Sequence, residues 1–68
     1  MSKKEIVDYD ATRILLENID AAERKLRMMK QYISQDKGIV RDPALVSGLF
    51  TGARDCIGTI GTKLSKFI

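Results

Sequence analysis

Apolar residues recur through residues 10–36 at the spacing of a helix seam. Leu15, Ile19, Ala22, Leu26, Met29 and Ile33 follow one another at intervals of four, three, four, three and four. That repeat predicts a helix packed along its length. A second stripe, Ile14, Ala21, Met28 and Tyr32, accompanies it. At about 100° per residue it falls roughly 80–100° from the first, so the apolar face is wider than a two-helix contact needs. One stripe packs inside a hairpin, and the other requires a second neighbour.

A second arm begins at Pro43 and runs to Phe67. Leu45, Val46, Leu49, Phe50, Ala53, Cys56, Ile57, Ile60, Leu64, Phe67 and Ile68 project within about 140° of one another on a helical wheel. No charge falls within this face, and Lys63 sits at its edge. Intrinsic propensity opposes the pattern. Gly48, Gly52, Gly58 and Gly61 each cost about 1 kcal/mol relative to Ala inside a helix. Ser47, Thr51, Thr59, Thr62 and Ser65 are mediocre helix formers as well. The second arm is therefore expected to be a poor helix alone, held by packing.

Between the arms lies Gly-Ile-Val-Arg-Asp-Pro, residues 38–43. Glycine takes positive φ cheaply and suits the residue that ends a helix. Asp42 is a good N-cap acceptor, and Pro43 fits the first helical position, where a missing N–H costs nothing. The expectation is an all-α antiparallel hairpin of two long amphipathic helices, completed by a partner or a second copy. The helices span 10–36 and 43–67, with a turn at 37–42. Residues 1–9 are expected to be flexible or partly helical. Ser2-Lys3-Lys4-Glu5 has the spacing of a capping box, while Asp8 and Asp10 are caps for the later start adopted here.

Charge follows the first arm's dipole, acids towards its N-terminus and bases towards its C-terminus. Residues 1–23 carry six acids against three bases, and residues 24–41 carry six bases against one acid. A solvated helix surface explains this. Docking on complementary charge, in another copy or a partner, is the sharper alternative. Gly48 and Gly52 stand one turn apart beside the apolar face, where a neighbouring backbone could approach.

Sixty-eight residues form one small domain with a marginal core of its own. Histidine is absent and Cys56 is the one cysteine, so Ser–His and Cys–His catalytic pairs and a structural zinc site are excluded. Cys56 lies mid-face and reads as a small core hydrophobe. No cofactor and no catalytic residue are expected, and the chain reads as non-enzymatic. The cluster Arg24, Lys25, Arg27 and Lys30 lacks interleaved aromatics and base-reading side chains, so nucleic acid is not the expected partner. No apolar run approaches a membrane span and the start lacks a signal peptide's apolar stretch, so a cytoplasmic location is expected. The stretch 48–68 is amphipathic and Lys-tipped, like a membrane-surface helix, but it has few bases and a matching seam on the first arm.

The segment Ile19-Asp-Ala-Ala-Glu-Arg-Lys-Leu26, the Asp42-Pro43 turn and the alternation Cys56-Ile-Gly-Thr-Ile60 resemble the small helical-hairpin co-chaperones of type III secretion needle subunits. The resemblance covers roughly residues 14–68. It implies a bacterial cytosolic protein that pairs with a tetratricopeptide-like chaperone and holds a needle subunit monomeric until secretion. Members of that family carry more charged and Gln residues in the second helix than this Gly/Thr-rich one.

The function expected is a co-chaperone or adaptor that stabilises another protein through apolar helix faces. The residues assigned to partner binding are Ile14, Ala21, Met28 and Tyr32, with Phe50, Ile57 and Ile68 at the edge of the second helix. The alternative is a homodimeric four-helix-bundle regulator, of phage or plasmid type, that binds and inhibits another protein or nucleic acid.

Overall fold

The computed structural model describes residues 5–68; the start of the capping-box segment, Ser2 to Lys4, lies outside them. The chain is an antiparallel helical hairpin closed by a very short β-ladder. Helix α1 spans Tyr9–Tyr32. Asp8 caps it: its carboxylate accepts from the Ala11 N–H at 3.0 Å, and its carbonyl accepts from the Thr12 N–H at 3.0 Å. The first bond satisfies one of the donors that a helix start leaves unpaired, and the second opens the helix's own ladder. The ion pairs Arg13–Glu17 and Arg24–Asp20 lie one turn apart on its exposed surface, where each contributes a few tenths of a kcal/mol.

α1 stops four residues before the expected Asp36. Ile33 turns extended, at φ −112° and ψ 123°, and a ladder replaces the last turn. β1 (Ile33–Ser34) pairs antiparallel with β2 (Ile39–Val40), Ile33 opposite Val40 and Ser34 opposite Ile39. Three of these four residues are β-branched, which favours pleated pairing over continued helix. The loop between them closes with the Gly38 N–H donating to the Gln35 carbonyl at 3.2 Å. Gly38 takes φ +62°. The expected turn at 37–42 is therefore a hairpin of strands within a hairpin of helices.

Arg41 finishes the end of α1. Its backbone N–H donates to the Tyr32 carbonyl at 2.7 Å, its guanidinium donates to the Gln31 carbonyl, and the same group lies 5.1 Å from the Tyr32 ring centroid. Helix-end carbonyls with no partner of their own are satisfied by one cationic residue, which also suits the dipole. Asp42 then caps α2 (Pro43–Leu64) by accepting from the Leu45 N–H at 3.3 Å. A single 3-10 turn, Ser65–Phe67, follows α2.

α2 forms over its whole length despite its composition. Thr51, Thr59 and Thr62 donate their hydroxyls to the carbonyls of Ser47, Asp55 and Gly58, one turn back. These bonds keep the hydroxyls satisfied inside the helix rather than competing with it.

The molecule measures 52 × 24 × 15 Å, with a radius of gyration of 16.1 Å. A compact domain of this length has a radius near 11 Å. The depth of 15 Å is little more than one helix with its side chains, about 10–12 Å. The hairpin is a single layer, two helices wide.

Candidate docking face

In a single layer, the centre of the seam decides which side chains remain in water. Among the described residues the buried apolar side chains are Ala11, Ala22 and Ala53. Half-buried residues complete the seam: Ile14, Leu15, Asn18, Ala21, Lys25, Met29 and Tyr32 from α1, and Val46, Leu49, Gly52, Cys56, Thr59, Ile60 and Lys63 from α2. The helices meet on small residues, so they approach closely and large side chains are pushed to the flanks. Lys25 shows the contact directly. A Cβ built on Gly52 would stand 2.7 Å from the Lys25 Cε and 3.0 Å from its Cδ, so the lysine stem lies across the glycine. Gly52 thus accommodates a side chain rather than a backbone, and Gly48 faces open space.

This seam corrects the division of α1 read from sequence. Ile14, Ala21 and Tyr32, assigned to a partner, are half-buried on the inward side. Ile19, Leu26 and Ile33, assigned to the hairpin core, are exposed, at 39%, 44% and 48%. Met28 is exposed as expected. On α2, Phe50 and Ile57 are half in water, and Ile68 stands past the end of the 3-10 turn, fully exposed.

Helix handedness places these exposed residues. Viewed from one end of the hairpin, α1 runs away and winds clockwise; α2 runs back and winds the other way. Ile19 and Leu26 lie about 60–100° past the inward centre of α1, and Phe50, Ile57 and Leu64 lie about 60–100° past that of α2. Opposite winding in antiparallel helices puts both sets on the same broad side. The register follows from Lys25 beside Gly52: Leu26 comes level with Phe50, and Ile19 with Ile57.

One side of the layer is thus a continuous apolar face without a charge at its centre. Glu23, Lys30 and Arg54 stand at its rim, the Arg54 guanidinium 5.9 Å from the Phe50 ring centroid. The other side carries Asp10, Glu17, Arg24 and Met28 from α1, Gly48, Asp55 and Thr62 from α2, and Lys66 from the 3-10 turn, all exposed. Met28 and Leu26 are equally exposed, at 44%, yet they lie on opposite sides.

Ile19, Leu26 and Leu64 are the face residues that sequence reasoning did not assign to binding. The signal available was Ala11, Ala22 and Ala53, which mark the line of closest approach. Centring the seam on the largest side chains instead rotated the assignment by part of a turn.

Among the described residues no group of three or more His, Cys, Asp or Glu side chains is placed to hold a metal ion. No described helix is long and apolar enough to cross a membrane. Cys56 is a free, half-buried thiol in the seam. No protein-family model, curated protein or solved structure matches this chain.

Proposed function

We propose that this chain is a non-enzymatic protein-interaction module, a small co-chaperone or adaptor that docks apolar helices of another protein onto the face formed by Ile19, Leu26, Phe50, Ile57 and Leu64. One observation carries the reading: five large apolar side chains from both helices, each between 39% and 53% exposed, are gathered on one side of a single layer. Isolated exposed apolar residues are ordinary, but a contiguous patch rimmed by charge marks an interaction surface. Apolar side chains spaced at one and two turns along two packed helices suit helical ligands, which anchor at the same spacings. The resemblance of residues 14–68 to needle-subunit co-chaperones points the same way, with a tetratricopeptide-like chaperone and a needle subunit as the partners it suggests.

The test is affinity capture from the native host with quantitative mass spectrometry, comparing face and back. Leu26→Glu with Ile57→Glu is expected to lose a partner by 100-fold or more, since each large side chain contributes about 1.5–3 kcal/mol when buried. Met28→Glu is expected to retain it. Equal recovery by both variants would overturn the assignment.

A further inference from the structure

The same face has a candidate occupant visible in the hairpin's own charges. We infer that, resting on the docking reading above, the apolar face is covered by a second copy of this chain, stacked face to face with its turn over the open end of the first. A partner protein would then compete with self-association for one surface.

Area supports this occupant. Helices of 22–24 residues run about 35 Å, and the layer is 24 Å wide. The face therefore offers on the order of 800 Å² per copy, the share each partner contributes to a stable interface. The face is also long and uncharged along its centre, so two copies can meet on it with the same patch on each side.

Charge selects the arrangement. The turn half, residues 23–53, carries Arg24, Lys25, Arg27, Lys30, Lys37 and Arg41 against Glu23, Asp36 and Asp42. The remainder, residues 1–22 and 54–68, carries Lys3, Lys4, Arg13, Arg54, Lys63 and Lys66 against Glu5, Asp8, Asp10, Glu17, Asp20 and Asp55. The turn end of the hairpin is basic, and the other half is balanced, with four of its acids on or beside the first half of α1. Two twofold axes would bring the faces together. An axis along the helices sets both basic turns side by side. An axis across them keeps the basic turns at opposite ends and packs α1 antiparallel on its own copy, the acidic first half of α1 running along its basic second half. Complementary charge favours the second and opposes the first. The result is a four-helix bundle in which face-to-face neighbours are antiparallel.

Sedimentation equilibrium and electron-spin distance measurements on the full chain test this. A spin label is placed at Lys37→Cys in a Cys56→Ser background. The expected result is a dimer of the 7.6 kDa chain, with labels about 40 Å or more apart because the turns lie at opposite ends. Rising salt should weaken it, as screening removes the attraction between the acidic and basic halves of α1. Leu26→Asp with Ile57→Asp should raise the dissociation constant at least ~100-fold. Arg27→Glu with Lys30→Glu, which leaves the apolar residues intact, should also weaken the dimer and remove its salt sensitivity.

A dimer with labels about 20 Å apart or less would place the turns together and overturn the arrangement. A helical monomer at all concentrations would overturn self-association while leaving capture by another protein as a separate result. A dimer indifferent to Leu26→Asp/Ile57→Asp but broken by Met28→Asp would overturn the face itself, and the docking reading with it.

Discussion

Asp42 holds an unusual position for a helix cap. Caps ordinarily sit in extended backbone, whereas Asp42 lies in the left-handed region, at φ +46° and ψ 68°. Aspartate tolerates this region better than most side chains, and its carboxylate still reaches the Leu45 N–H. The two properties respond differently to substitution. Asp42→Ala loses the acceptor and keeps the strain, and is expected to cost about 1–2 kcal/mol. Asp42→Gly loses the acceptor but relaxes the backbone, and should cost only a few tenths of a kcal/mol. Chemical denaturation of the two variants checks this order; an Ala variant as stable as the Gly variant would contradict it. The cap was legible from Asp-Pro alone, because Pro43 fixes the first helical position. The left-handed backbone was not, because it arises from the ladder that delivers the chain to Asp42.

Element by element, α2 came out as its apolar pattern required and against its propensity. The pattern prevailed because Val46, Leu49, Ala53, Cys56 and Ile60 pack along the seam, while the glycines, Gly52 excepted, face open space. Those open glycines can be improved. Gly48→Ala and Gly58→Ala should each stabilise the chain by about 0.5–1 kcal/mol, since nothing stands where the methyl would go. Gly52→Ala should gain little, because its methyl must displace the Lys25 stem. Equal gains at all three positions, measured by denaturant titration, would show that the Lys25 contact is absent. The end of α1 was the element least legible in sequence. Heptad spacing carries Ile33 as readily into a helix as into a strand, and only its pairing with Val40 decides between them.

For the whole molecule, the legible part was the surplus: two helices with more apolar surface than they can bury against each other. Which residues make up that surplus was legible on α2, where Phe50 and Ile57 lie on the open face. On α1 the surplus was assigned to the wrong flank. A wheel drawn from one helix shows how wide its apolar arc is but not where its partner will sit in that arc. Alanines set that position here. Leu26 and Met28 consequently exchange roles while keeping the same exposure in the hairpin.

That equality provides the most direct measurement. Methyl relaxation by a soluble paramagnetic agent can be followed at Leu26 and Met28 in the full chain, dilute and then assembled with a second copy or a captured partner. The expected result is equal accessibility of the two methyl sites when dilute, followed by selective shielding of Leu26, with Ile19, Ile57 and Leu64, on assembly. Leu26 and Met28 remaining equally accessible in the assembled state would contradict the claim that this face is where the protein works.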